Sequence, residues 1–268
     1  MTTTAAATSA PRETAAWAVV GAQEIRTLWV GGRALALCLA FSVLLSVSTY
    51  LVATNEALNF LEQREAVNLT LQVAVAVGSL LALLAAADAI SGERERATLE
   101  ALLLTPASRL GITVGKLLAA LSLWLAAFVI AIPYVWFLGR GVGLVGDALL
   151  AGLAIGSILA IFLASLGMLV SVLAASNRIS LSISLFILLA LFAPTQFPIS
   201  ATRGWGETLL RVNPMTAGEH YVGRIVVNEA GWTDNLSWLI SPIVAAVAFT
   251  AAAAVVGARY VRLGRGGT

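Results

Sequence analysis

The chain has 268 residues, of which 59% are hydrophobic and only 11% charged, with a mean hydropathy of +0.92. Soluble domains carry about 25% charged residues, so a water-soluble globule is excluded and hydrocarbon must solvate much of the surface. A net charge of +2 with scattered basic residues excludes a nucleic-acid footprint, and a single cysteine, Cys38, and a single histidine, His220, exclude an intramolecular disulfide and a Cys/His metal cluster.

Residues 1–11 are Thr- and Ala-rich and lack the basic start and short apolar core of a signal peptide, so a disordered cytoplasmic tail is expected. An amphipathic interfacial helix is expected over 12–33. Within it Trp17, Val20, Leu28 and Trp29 share one side at helical spacing, with Gln23 and Arg26 opposite. Glu24 falls near the apolar side, where it needs a partner. Both an interfacial anchor and a coupling element fit this pattern.

Crossing the hydrocarbon core takes about 20 mostly apolar helical residues. Six stretches qualify: 34–54, 68–90, 113–138, 148–174, 179–194 and 237–260. Continuous apolar runs without alternation argue against a membrane β-barrel. An inside N-terminus puts eleven Lys and Arg, from Arg12 to Arg265, in the cytoplasm. Arg64, Arg140, Arg203, Arg211 and Arg224 then lie on the other side. This bias places both termini inside, with a basic tail over 262–268. The long connection over 195–236 is expected outside, as short helices around 207–212 and 215–227 dipping into the interface.

The densest polar feature lies between the second and third spans. Asp88 ends an apolar run; Ser91 and Gly92 break it; Glu93, Arg94, Glu95 and Arg96 follow as four consecutive charges. Leu99, Leu102 and Leu103 then form an apolar stripe until Pro106 stops the helix. A helix of this kind, about 92–109, lying along the membrane suits docking: an apolar ridge fills a groove and charges set register. It equally suits an ordinary interfacial loop. Asp88 at the end of an apolar span needs protein or the interface around it, and Arg94 or Arg96 stands one to two turns away.

This run, Asp88-Ala89-Ile90, Gly92-Glu93-x-Glu95-x-x-Thr98-Leu99-Glu100-x-Leu102-Leu103, Thr105-Pro106, Ser108-Arg109 and Gly115-Lys116, resembles the signature of ABC-2 type permeases. Glu24-Ile25-Arg26 before the first span and Asn213-Pro214 before the last are similar to that family's patterns too. Ala97 departs from it, since glycine usually precedes the threonine. The resemblance implies an all-α integral membrane protein, residues 34–261, with six transmembrane helices, an N-terminal elbow helix and a cytoplasmic coupling helix. By the same resemblance Glu93, Arg94, Glu95, Arg96, Thr98, Leu99, Glu100, Leu102, Leu103, Pro106 and Arg109 dock a separate ATPase. Asp88, Glu24 and Arg26 support them. A second permease chain, identical or not, pairs with this one, and two ABC ATPase subunits carry the ATP and Mg. The cargo, amphipathic or hydrophobic and moved outward across the inner membrane, would pass near Leu80, Phe186 and Phe192 at the dimer interface.

The residues themselves bear on the alternatives. Gly141-x-Gly143-x-x-Gly146 follows a spanning helix rather than a strand, and Gly111-x-x-x-Gly115-Lys116 is one residue short of a P-loop, with Leu117 where Ser or Thr is required. This chain therefore has no site to hydrolyse ATP, and if it is a transporter subunit the motor is another polypeptide. An ion-coupled carrier needs internal repeats and ionisable groups near mid-span, and neither is visible. An intramembrane protease needs a nucleophile–base pair or paired acids at depth, and neither His220 nor Asp88 has the partner. No metal or cofactor is expected in this chain.

Overall fold

The computed structural model describes residues 13–54, 60–100, 104, 108–141, 143–196 and 205–260. Within them the chain forms ten α-helices: α1 (Glu13–Val30), α2 (Arg33–Ala53), α3 (Phe60–Asp88), α4 (Ser91–Glu95), α5 (Arg109–Gly139), α6 (Val145–Leu173), α7 (Asn177–Phe192), α8 (Trp205–Val212), α9 (Pro214–Val226) and α10 (Ile240–Tyr260). Single 3-10 turns at Ala193–Gln196 and Leu236–Leu239 follow α7 and precede α10. Six segments, built on α2, α3 with α4, α5, α6, α7 and α10, are long and apolar enough to cross a membrane.

Local chemistry sets several helix starts. Ser108 and Ser176 precede α5 and α7, and their hydroxyls accept from the Gly111 and Ile179 amides. Before α9, Asn213 Oδ1 accepts from the Met215 amide at 2.9 Å with Pro214 in the first turn, while Asn213 Nδ2 donates to the Leu191 carbonyl at 2.7 Å. The Asn-Pro pair thus caps one helix and ties it to the end of another.

The bundle is built around α3 and α6, each 61% buried across its apolar window. Small residues on α6 allow the approach. A methyl at Gly152 would overlap Leu71, one at Gly156 the Trp124 ring, and one at Gly167 a backbone carbonyl at Leu83. The Trp124 indole then donates to Ser157 at 3.1 Å. By contrast α2, α7 and α10 are only 22%, 22% and 17% buried, and their outer faces carry Leu39, Val47, Ile183, Phe186, Leu189, Val244 and Val247. In lipid such faces need no protein cover.

The connection between α7 and α10 carries the two short helices the sequence suggests. α9 is no surface appendage: Met215, Ala217, Tyr221, Val222, Ile225 and Val226 are buried in the main core. The Tyr221 hydroxyl donates to the Trp232 carbonyl, and Arg64 of α3 pairs with Glu229. Span two accordingly starts earlier than expected, its polar first turns held by this pairing and by buried Ala66 and Val67.

Candidate functional site

At one end of the bundle α3 stops at Asp88 and the chain turns through Ala89 and Ile90. The Ile90 and Ser91 amides, freed by the break, both donate to Ser171 Oγ of α6 at 3.0 Å. α4 then runs only from Ser91 to Glu95. Arg96, Ala97 and Thr98 form a turn with Ala97 at φ 57°, and helix resumes at Leu99 and Glu100. The single helix expected over 92–109 is therefore broken at Arg96–Thr98. An L-residue in the left-handed region ends α4, which accounts for glycine being the family's usual choice there. Gly92, expected as a breaker, lies inside α4, where a side chain would overlap the Asp88 carboxylate.

Around this break six charged side chains and one amide form a network. Lys116 of α5, its side chain 2% exposed, reaches Glu24 of α1 at 2.8 Å and Glu93 of α4 at 2.6 Å. Asp88 accepts from Arg33 of α2 at 2.8 Å, Arg96 at 3.5 Å and Asn177 Nδ2 of α7 at 2.7 Å. Three acids meet three bases, so the cluster is neutral and a buried charge is never left alone. A cavity of about 130 Å³ lies between the two halves, bordered by Glu24, Arg33, Asp88, Glu93, Arg96 and Lys116. Asn177 Oδ1 accepts from Ser91 Oγ at 3.1 Å, and Ser180 Oγ donates to the Ala87 carbonyl at 2.7 Å. Together with Ser171 of α6, groups from six helices thus converge on this break: α1, α2, α3, α5, α6 and α7.

The sequence-predicted residues divide between interior and surface. Arg94 does not pair with Asp88; its guanidinium caps the end of α6 through the Ala174 carbonyl at 2.6 Å and the Val172 carbonyl at 3.3 Å. Glu93 and Leu99 turn inward, Leu99 being 2% exposed within the chain's own core, so neither presents itself to a partner. Arg109 opens α5 rather than closing a loop helix. Glu95, Arg96, Thr98 and Glu100 are exposed, and so is Leu104 at 87%. Leu102, Leu103 and Pro106 lie outside the described residues. Arg26 is exposed on α1.

Lys116, Arg33 and Asn177 carry the network, yet the sequence singles out none of them as a site. A lysine two turns into an apolar span that begins at Arg109 is the legible signal, since such a group must find an acid or water. The three residues placed along a substrate route are not gathered on one surface. Leu80 and Phe192 pack half-buried against the core, while Phe186 is 73% exposed on α7.

α1 is seated by close backbone approach as well as by charge. Gly21 of α1 lies against Gly115 of α5, where a methyl on Gly115 would stand 2.9 Å from the Gly21 nitrogen and 2.9 Å from Val20 Cγ1. Trp29 donates to Ser122 at 3.2 Å further along the same contact. Contacts run from the exposed Glu95–Glu100 turn to α5 and α1 through the Lys116 ion pairs, and to α2 and α7 through Asp88, whose partners Arg33 and Arg96 are partly exposed.

A search of curated proteins returned no match. The family model described as "ABC-2 family transporter protein" matches residues 24–260.

Proposed function

The chain belongs to the ABC-2 transporter family, and from that premise we propose that it is the permease subunit of an ATP-binding cassette exporter whose α4 turn docks a separate ATPase. One observation supports the docking reading above the others. The α4 turn exposes Glu95, Arg96, Thr98 and Glu100 within six consecutive residues while its inward face is tied directly to α3, α5, α6 and α7. A surface that is free outside and rigid inside is what a force-transmitting contact requires, because a yielding loop dissipates the push.

In this reading α1 is the elbow helix at the cytoplasmic interface and both termini are cytoplasmic. ATP and Mg reside on the partner ATPases, two per complex. Closure of those subunits drives the α4 turn, and the Lys116 and Asp88 groups carry the displacement into the spans. A second permease chain completes the complex, and an amphipathic or apolar cargo leaves between the two copies.

The exposed residues make the test specific. Glu95→Lys combined with Glu100→Lys leaves the buried pairs intact, so the variant should purify from membranes at normal yield but without the P-loop ATPase that accompanies the wild type. Transport by the permease with no ATPase present, or undiminished ATPase capture by the double variant, defeats the proposal.

A further inference from the structure

The end of the bundle opposite the charge network holds a second polar concentration. α7 starts in the network at Asn177 and ends beside a cavity of about 420 Å³ bordered by Pro194 and Thr195. Gln72 of α3 also borders it, 16 residues before Asp88, hence about 24 Å away along the helix. The volume falls within the roughly 300–1,000 Å³ of small-molecule pockets.

Glu219 and Arg224 of α9 both line this cavity, and neither has an ionic partner among the described residues. Glu219 forms no hydrogen bond or ion pair with a described residue. Arg224 likewise has no carboxylate partner among the described residues, and its Nε is buried with no hydrogen-bond acceptor. The neighbouring charges are already engaged: Arg64 with Glu229, and Arg211 with Glu207 at 3.0 Å. The wall between is aromatic and polar, with His220 stacked on Trp238 at 4.0 Å and Asn228 nearby.

An acid and a base that line one cavity without bridging each other are the complement of a ligand carrying both charges. We infer that this cavity binds an aminophosphate zwitterion, its phosphate on Arg224 and its ammonium on Glu219. The two residues stand five positions apart on α9, about 7.5 Å along the axis. That spacing is long for an α-amino acid, whose charged groups share one carbon, and suits the longer arm from ammonium to phosphate. A guanidinium with free donors matches phosphate oxygens. Burial raises the Glu219 carboxyl to about 7, and an ammonium beside it would favour the ionised form. The ligand is either the headgroup of a phospholipid or a free aminophosphate.

The site is independent of ATPase docking, so it can fail while the permease reading stands. Full-length protein in detergent is titrated calorimetrically with phosphoethanolamine, inorganic phosphate and ethanolamine. It is also recovered from bilayers of phosphatidylethanolamine or phosphatidylglycerol for native mass spectrometry. Phosphoethanolamine should bind at least about tenfold tighter than either half-probe, the worth of one charge-assisted contact. Arg224→Gln should weaken it by about tenfold or more, and Glu219→Gln should erase the preference over inorganic phosphate. Retention of phosphatidylethanolamine by the wild type and its loss from both variants assigns the ligand to the membrane. Binding of the free headgroup with no retained lipid assigns it to solution, and either supports the site. Equal affinity for inorganic phosphate, unchanged binding by Arg224→Gln, or no binding of headgroup or lipid overturns it. If the variants do not purify as monodisperse protein, the selectivity of the wild type among the three probes decides.

Discussion

Lys116 shows how one side chain can set the behaviour of an end of the molecule. Its side chain is 2% exposed and its ammonium answers two carboxylates on different helices. Lys116→Met fills the same space but strands Glu24 and Glu93, and breaking a buried ion pair from one side costs about 3–5 kcal/mol. The variant should lose thermal stability in detergent by a clear margin, and Lys116→Arg should recover part of it; equal melting of Lys116→Met and wild type would refute the role. Ala97 is the opposite case, a residue at odds with its backbone. At φ 57° an L-side chain crowds the following carbonyl. Ala97→Gly removes the conflict and should stabilise the protein by about 1 kcal/mol, read as a raised melting temperature with ATPase capture retained.

Among the elements, the seat of α1 on α5 depends on two glycines. Gly115→Val would drive methyl groups into Gly21 and Val20, lifting α1 and opening the Glu24–Lys116 contact. Overpacking of this kind costs about 1–3 kcal/mol. Limited proteolysis within α1 should become faster in this variant; an unchanged digestion rate would show that α1 is held elsewhere. This contact also marks what the sequence could and could not reveal. The six spans were legible because each needs about 20 apolar residues in a row, and α1 because Trp17, Val20, Leu28 and Trp29 repeat at helical spacing. The need of Glu24 for a partner was legible too, but the partner's identity was not: Lys116 is 92 residues away, and local pattern carries no record of such a pairing. Separations of 55 and 89 residues likewise hid Arg33 and Asn177 from Asp88. The break at Ala97 was missed for a different reason. Continuous helical periodicity from Glu93 to Leu103 says nothing of backbone sign, and only the missing glycine hinted at it. The burial of α9 escaped because its apolar face is interrupted by Glu219 and Arg224, which read as surface when taken alone.

At the scale of the molecule, the buried α3 and α6 form a stiff centre, with α2, α7 and α10 lying outside it. In the proposed dimer the outer face of α7, marked by Phe186, is the surface available to a second copy. A single cysteine at Phe186 in a Cys38→Ala background should form a disulfide dimer on mild oxidation of native membranes, whereas Val47→Cys on α2 should not. Equal crosslinking at both sites would mean chance collision. The link between α1 and α2 has one more property. Gly32, at φ 79° with no neighbour within 4 Å of its missing side chain, turns the chain between α1 and α2, and α1 is held further along by Lys116 and Gly115. That has a consequence for synthesis. Glu24 leaves the ribosome 92 residues ahead of Lys116, an interval of roughly 5–20 s at ordinary elongation rates. In the proposed reading α1 waits at the membrane surface through that interval with its acid solvated, and the Glu24–Lys116 contact forms only once the third span has been made. The first helix to be made is among the last to be fixed.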